Sequence, residues 1–252
     1  MTENIAVYAP GRGFVLPYIT AAVPECGVYS LSLPDGNLTP LNRKADGEPA
    51  LYIMVSSTDV YGDGPADSVA EDARTDSSSV WFRYEKEFTD FARGRGHVPV
   101  ILRCADIVGT GMTGFPRHLV ETIWRGTFFH FPGNEARRSV VHAVDTGRIV
   151  RQLVAGGLPH GDTLTYNVTD GTDPTIHDFA EALAFRLSNK RISTLSTGPQ
   201  QWLGRKLYGS RKFGLYTTTR TFSSDKISLD LAFRPTDTCE YLRTHQYDEN
   251  SL

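Results

Sequence analysis

The sequence predicts an α/β protein built around a doubly wound parallel sheet. Two continuous apolar runs, residues 50–57 and 98–103, are typical of strands that are buried on both faces. A helical segment with charged residues lies between them, so the order is strand, helix, strand, as in a parallel crossover. The chain has 252 residues, which suffices for one such domain with a small mixed α/β cap.

The composition is that of an ordinary globular protein, with 40% hydrophobic and 22% charged residues. The net charge of −3 gives no electrostatic reason to expect nucleic acid or an anionic membrane surface as a partner. Three cysteines, Cys26, Cys104 and Cys239, lie far apart without a C-x-x-C motif, so neither a disulfide framework nor a metal site is expected. The N-terminus lacks a signal-peptide pattern, and no apolar run approaches the roughly 20 residues of a membrane-spanning helix. We therefore expect a cytoplasmic protein.

Residues 4–9 predict the first strand, and the glycine turn after it leads into a predicted helix over residues 14–23. A strand, a glycine loop and a helix are the setting in which a dinucleotide phosphate binds. Gly11 and Gly13 are therefore candidate cofactor-binding residues. Pro17 weakens that interpretation, because proline removes a backbone N–H near the start of the helix. A plain strand-to-helix turn stays open as the alternative.

Residues 27–33 alternate as a second strand does, and Asp35 lies just beyond them. An acidic residue at this place is a candidate ligand for an adenosine ribose. The Pro-Asp-Gly sequence around Asp35 is also a turn signal by itself. After it, a single loop is predicted to lead directly to the strand over residues 50–57.

Hydroxyl and carboxylate side chains follow that strand, and a lysine lies on the next helix. Ser57 and Asp59 come at the strand end, where they either form a catalytic site or cap the following turn. Lys86 lies on the helix with Phe82 four residues before it, and residues at this spacing share one helical face. Lys86 is therefore a candidate site residue, with a solvated helix lysine as the alternative.

Three consecutive segments resemble the catalytic half of the extended short-chain dehydrogenase/reductase family. They are the serine strand with its Val-Tyr-Gly turn, the lysine helix, and the next strand with the Arg-Cys-Ala-Asp sequence at its end. That family includes the nucleotide-sugar epimerases and dehydratases. The resemblance implies a Rossmann-like fold, NAD or NADP as cofactor and a nucleoside-diphosphate sugar as substrate. It assigns substrate polarisation to Ser57, an acid role to Asp59 and the nicotinamide ribose to Lys86. The family's tyrosine position holds Phe82, which has no proton to transfer.

The later segments resemble the substrate-binding part of the same family. Arg138 and Arg220 match the positions of arginines that contact the phosphates, and a forked guanidinium suits phosphate oxygens. The resemblance divides the chain into a Rossmann-like core, residues 1–160, and a mostly substrate-binding cap, residues 161–252, that is interleaved with the core. It also implies a homodimer through the lysine helix and the helix over residues 116–126.

Compared with this family, the N-terminal half is truncated. Two strands and their helices are missing before the serine strand, so we expect the first strand to pair directly with the serine strand. The crevice for a dinucleotide is then smaller, which argues against the NAD or NADP binding that the family implies.

Three functions follow from these observations. The favoured one is a nucleotide-sugar-binding pseudoenzyme whose redox activity is impaired or lost. Three losses relative to the family favour it: Leu16 stands at the position of the third glycine of the family's G-x-x-G-x-x-G loop, Phe82 replaces the tyrosine, and the adenosine-binding strands are missing. The first alternative is an active epimerase or dehydratase that uses Ser57, Asp59 and Lys86. The second is a non-redox lyase or isomerase that uses Asp59 or Cys104 in the same pocket.

Overall fold

The computed structural model describes residues 4–156, 163–187, 191–194 and 210–244. In chain order the strands are β1 (Ile5–Tyr8), β2 (Val28–Ser32), β3 (Asn37–Pro40), β4 (Leu51–Ser57), β5 (Ala66–Val69), β6 (Pro99–Cys104), β7 (Asp106–Val108), β8 (Phe129–His130), β9 (Val140–His142), β10 (Leu164–Val168), β11 (Ser193–Thr194) and β12 (Arg220–Phe222). The helices are α1 (Leu16–Ala22), α2 (Val80–Gly94), α3 (Gly114–Trp124), α4 (Ala143–Gly156), α5 (Ile176–Arg186), α6 (Ser210–Thr217), α7 (Asp225–Leu231) and α8 (Thr238–Thr244). Short 3-10 turns cover Gly13–Val15 and Thr58–Tyr61.

Six strands form the central sheet in the order β10-β6-β4-β1-β2-β3. Neighbouring strands are parallel except for β2 and β3, which form an antiparallel hairpin at one edge. β1 pairs directly with β4, with Ile5 opposite Leu51. The predicted α/β fold with a shortened, Rossmann-like parallel sheet is therefore confirmed, and so is the pairing of the first strand with the serine strand.

The edge strand β3 corrects the expectation of a single loop before the serine strand. Its sequence, Asn-Leu-Thr-Pro, lacks apolar alternation, and three of its four residues are exposed. Its backbone nevertheless pairs with β2, with Leu31 opposite Leu38. A short polar edge strand is stabilised by pairing with its neighbour rather than by its own burial, so it leaves little signal in the sequence.

Helices cover both faces of the sheet. α1 and α4 pack on one face, in a core with Ile53 and Val100, and α2 packs on the other face, where Phe88 lies in a cluster with Met54. α1 and α4 approach each other closely at Gly147, where an added Cβ atom would lie 2.5 Å from the backbone oxygen of Tyr18. The close contact of these two helices therefore requires a residue without a side chain at position 147.

A second apolar cluster lies between α3, α5, α6 and α8, with Tyr216 fully buried among them. Thr175 caps α5, because its Oγ1 accepts a hydrogen bond of 3.0 Å from the backbone N–H of Asp178. β10 comes from the later part of the chain but lies in the central sheet. The division into a core and a cap at residue 160 stays a prediction.

None of the helices described here is long and apolar enough to cross a membrane. The same described residues hold no group of three histidine, cysteine or acidic side chains placed to bind a metal ion.

Candidate functional site

A cavity of about 520 Å³ lies at the carboxyl edge of the sheet, beside the loops that follow β1, β4 and β6. In an open parallel sheet this edge is where ligands bind. The other wall of the cavity comes from α3, α6 and β12. Its charged and aromatic lining residues are Arg12, Phe14, Asp59, Asp63, Trp81, Asp106, Phe115, His118, Arg138 and Arg220.

Arg12 crosses the strand ends at the wall of this cavity. Its Nη1 donates hydrogen bonds to the backbone oxygens of Ser56 (2.8 Å) and Cys104 (3.2 Å), and its Nη2 donates to Oγ of Ser57 (2.7 Å). The guanidinium lies over the ring of Trp81, 4.9 Å from the ring centroid. Burial lowers the pKa of Arg12, but an arginine side chain stays charged in a protein. One cation from the loop after β1 therefore ties the ends of β4 and β6 together.

Ser57 and Asp59, two of the predicted catalytic residues, face different surroundings. Ser57 is buried, and its Oγ accepts hydrogen bonds from Arg12 and from the backbone N–H of Asp59 (3.1 Å), which caps the 3-10 turn. The Asp59 side chain is half exposed, lines the cavity and has its Oδ1 3.2 Å from Nη2 of Arg220. Ser57 is therefore occupied by Arg12 and by capping, whereas Asp59 faces the cavity.

Helix α2 presents Trp81 and Glu85 to the strand ends and turns Lys86 to solvent. Trp81 lines the cavity, Glu85 is 7% exposed and Lys86 is exposed. Residues four apart share one helical face. The face toward the strand ends carries Trp81 and Glu85, whereas the sequence analysis expected Phe82 and Lys86, each one residue further along the chain. This placement does not support a contact between Lys86 and a nicotinamide ribose.

Glu85 belongs to a buried polar network. It accepts a hydrogen bond of 2.7 Å from Oγ of Ser56 and forms a bidentate ion pair with Arg103, with distances of 3.0 Å (Nε to Oε1) and 2.9 Å (Nη2 to Oε2). Arg103 also donates to the hydroxyl of Tyr61 (2.9 Å), which donates to Oδ1 of Asn167 (2.8 Å). Burial opposes the charge of Arg103, but Glu85 raises its pKa. A buried charge needs such a partner, so the network has a structural role in joining α2 to β4, β6 and β10.

Arg138 and Arg220 come from distant segments but lie side by side. Their backbones form a parallel bridge, and both side chains line the cavity. The Nε of Arg138 lies 2.7 Å from Oδ2 of Asp106, and its guanidinium covers the ring of Phe115 at 3.9 Å from the centroid. Arg220 is paired with Asp59, as described above. Each arginine therefore already has a carboxylate partner.

The other predicted cofactor-binding residues lie in turns. Gly11 lines the cavity and has a φ of +65°, in the left-handed region that favours glycine. Gly13 begins a 3-10 turn, and α1, which follows it, has seven residues with Pro17 in its first turn. Asp35 is exposed in the turn of the β2–β3 hairpin, in agreement with the turn interpretation. Neither Gly13 nor Asp35 is among the residues that line the cavity.

Cys104, the candidate nucleophile of the non-redox alternative, is fully buried. Burial raises the pKa of its thiol to about 12. The thiolate is the reactive form of cysteine, and at neutral pH Cys104 stays a thiol. Its position in the core favours the packing role that a buried cysteine usually has.

Sequence reasoning missed Arg12, Trp81 and Glu85. Arg12 is an arginine in a glycine turn, and nothing local shows that its partners lie 44 and 92 residues further along the chain. The helix did carry a signal. Trp81 and Glu85 continue, with Phe88 and Ala92, a single stripe at helical spacing, and the last three of these residues are buried.

The sheet order and the cavity at its carboxyl edge define a Rossmann-like fold. A human epimerase family protein crystallised with NADPH matches over 95% of this chain and 98% of its own, with a TM-score of 0.63 and 13% identity. UDP-glucose 4-epimerase from Thermotoga maritima, crystallised with UDP-glucose, covers 95% and 96% of the two chains at a TM-score of 0.62 and 16% identity. The Bordetella bronchiseptica enzyme WbmH, crystallised with NAD+, matches over 96% of this chain and 97% of its own, with a TM-score of 0.63 and 14% identity. No protein-family model and no curated protein matches the sequence. At these identities the shared property is the fold.

Proposed function

We propose that this chain is a member of the extended short-chain dehydrogenase/reductase family that binds a nucleotide sugar in the cavity and has lost nicotinamide-dependent redox activity. The observation that carries the proposal is that three arginines from distant segments, Arg12, Arg138 and Arg220, line one cavity. Arginine is the side chain best suited to phosphate oxygens. The solved structures with this fold include one that holds UDP-glucose.

The rest of the lining suits the same ligand. Trp81, Phe14 and Phe115 offer aromatic surfaces for a base or a sugar ring, and Asp59 and Asp106 offer acceptors for sugar hydroxyls. A pocket of about 520 Å³ lies in the range that encloses a small organic ligand.

The residues at the strand ends do not fit a nicotinamide dinucleotide. The switch point of the sheet lies between β1 and β4, and Arg12 fills it with a fixed cation. The face of α2 toward the strand ends carries Trp81 and the ion-paired Glu85, and neither can replace the tyrosine and lysine that the family resemblance implies. On the adenosine side, the hairpin turn at Asp35 replaces the missing strands. NAD and NADP, implied by the fold, therefore have no place in the proposed activity.

The active epimerase or dehydratase is the weaker alternative, because it depends on Ser57 and Lys86. Ser57 is buried behind Arg12, and Lys86 is exposed to solvent. The non-redox lyase or isomerase retains one observation in its favour, the position of Asp59 in the cavity. That carboxylate is, however, already paired with Arg220 at 3.2 Å, which leaves it less available to a substrate.

Calorimetry with UDP-glucose, NADH and NADPH tests the proposal. We expect saturable binding of UDP-glucose and no binding of either dinucleotide at millimolar concentration. Arg220→Gln should weaken the binding of UDP-glucose. Arg117→Gln, whose side chain is 60% exposed on α3, is the matched control and should leave binding unchanged. Tight binding of NADH with no binding of UDP-glucose would contradict the proposal.

The homodimer stays a prediction. The exposed residues of α2 include Arg83, Lys86 and Asp90, so a dimer through this helix would have to join charged surfaces. Light scattering of the purified chain decides between a monomer and a dimer.

A further inference from the structure

The three arginines of the cavity differ in how their charges are balanced. Arg138 lies 2.7 Å from a carboxylate oxygen of Asp106, and Arg220 lies 3.2 Å from one of Asp59. These four side chains form two neutral pairs within the cavity wall. A ligand anion that approaches either arginine also meets the carboxylate beside it, which repels the anion.

Arg12 is held by neutral groups instead. Its three hydrogen bonds go to two backbone carbonyl oxygens and one hydroxyl. Among the described residues, no carboxylate forms an ion pair with it, and Asp59 and Asp106, which are engaged by the other two arginines, act on it only at longer range. A guanidinium has five N–H donors, so these contacts leave the Nε–H and one N–H of Nη2 for a ligand. Asp63, the remaining acid of the lining, is exposed, and water and salt screen its charge.

Arg12 is also held in position before any ligand arrives. Its contacts reach the ends of both β4 and β6, and the Trp81 ring covers one face of the guanidinium. A side chain that is already ordered loses little conformational entropy on binding. A partly buried cation with spare donors forms stronger hydrogen bonds to an anion than a solvated one does.

We propose that Arg12 and Trp81 form the anion-binding subsite of this cavity. The ligand's oxyanion, a phosphate or a carboxylate, binds the spare N–H groups of Arg12, and its adjoining ring contacts Trp81. The neutral pairs Arg138–Asp106 and Arg220–Asp59 then bind the hydroxyl-rich part of the ligand through alternating donors and acceptors. This assignment rests on the proposed nucleotide-sugar function, and it moves the principal charge contact from Arg138 and Arg220 to Arg12.

The test compares Arg12→Gln with Arg117→Gln, using UDP-glucose, inorganic pyrophosphate and glucuronate as probes in calorimetry. Arg12→Gln should lower the affinity for UDP-glucose by about tenfold or more, which is the loss typical of a charge-assisted hydrogen bond. The affinity for whichever oxyanion probe binds the unaltered chain should fall by a similar factor. Arg117→Gln should change neither affinity. Pyrophosphate and glucuronate separate a phosphate subsite from a carboxylate subsite.

A second readout covers the case in which Arg12→Gln does not fold. Pyrophosphate or glucuronate should quench the fluorescence of the unaltered chain, and Trp81→Phe should remove that quenching. Trp124→Phe, a change at a tryptophan 56% exposed on α3, should keep it.

The outcomes separate this inference from the proposed function. If UDP-glucose binds the unaltered chain and Arg12→Gln equally well, the subsite is overturned and the function stands. If an oxyanion binds through Arg12 but UDP-glucose does not bind, the subsite stands and the nucleotide-sugar function fails. If none of the probes binds the unaltered chain, both are overturned.

Discussion

Two neighbouring regions at the carboxyl edge of the sheet differ in what their charged groups contact. At the inner region, between β1, β4 and β6, Arg12 bonds to the strand ends and Glu85 pairs with Arg103 inside the protein. At the outer region, Arg138 and Arg220 line an open cavity. In the inner region Glu85 and Arg103 thus serve the structure, and Arg12 both holds the strand ends and lines the cavity, while in the outer region Arg138 and Arg220 surround the open space. Charged groups at one edge of a sheet can therefore hold the fold together or face a ligand site.

The largest expected effect comes from the buried ion pair of the inner region. Glu85→Gln should lower the free energy of unfolding by about 3–5 kcal/mol, because it leaves Arg103 buried without a compensating charge. Lys86→Gln, at the adjacent exposed position, should change it by less than about 0.5 kcal/mol. Chemical denaturation measures both. Equal effects of the two changes would mean that the helix does not face the strand ends through Glu85.

The next effect concerns the close contact of α1 with α4, which fixes the short helix after the glycine turn. Gly147→Ala should destabilise the chain by about 1–3 kcal/mol, because the new methyl group meets the backbone of Tyr18. Gly156→Ala, in the same helix with open space around it, should be neutral or stabilising by up to about 1 kcal/mol. Thermal or chemical denaturation compares them, and a stable Gly147→Ala variant would contradict the packing.

A smaller effect is expected in the outer region. Asp59→Asn should change stability by less than about 1 kcal/mol, because the carboxylate is half exposed and its ion pair is screened by water. It should lower the affinity for UDP-glucose a few-fold, because an amide is a weaker acceptor for the sugar hydroxyls than a carboxylate. Calorimetry measures the change. Turnover of a nucleotide sugar that disappears in this variant would instead support the non-redox enzyme.

The smallest expected effect is a lack of thiol reactivity. Burial raises the pKa of Cys104 to about 12, so its thiolate forms only as the pH approaches that value, and alkylation at pH 8 should be very slow. Cys239 has a pKa raised to about 12 by burial as well and serves as an internal comparison. Mass spectrometry of the alkylated peptides checks this in the native and the denatured chain. Rapid labelling of native Cys104 would revive its candidacy as a nucleophile.

The sequence predicted the features that depend on apolar burial. The runs that became β4 and β6 were predicted from their apolar residues. The pairing of β1 with β4 was expected through the family resemblance, because two of the family's strands are missing before the serine strand. The proximity of Arg138 and Arg220 was expected only through the family resemblance.

Other features could not be predicted because they depend on contacts between distant residues or on a small rotation. A shift of one residue turns a helix position by 100°, so choosing Lys86 rather than Glu85 moved the expected pair from the buried face to solvent. Arg12 has partners that only the folded sheet brings together. The strand β3 has too few apolar side chains to be distinguished from a loop.

A crystal structure of the chain grown with both UDP-glucose and NADH tests the central claim most directly. The account predicts electron density for the nucleotide sugar beside Trp81, with Arg12 still bonded to the backbone oxygens of Ser56 and Cys104. A nicotinamide ring between β1 and β4, with Arg12 displaced from those oxygens, would contradict it.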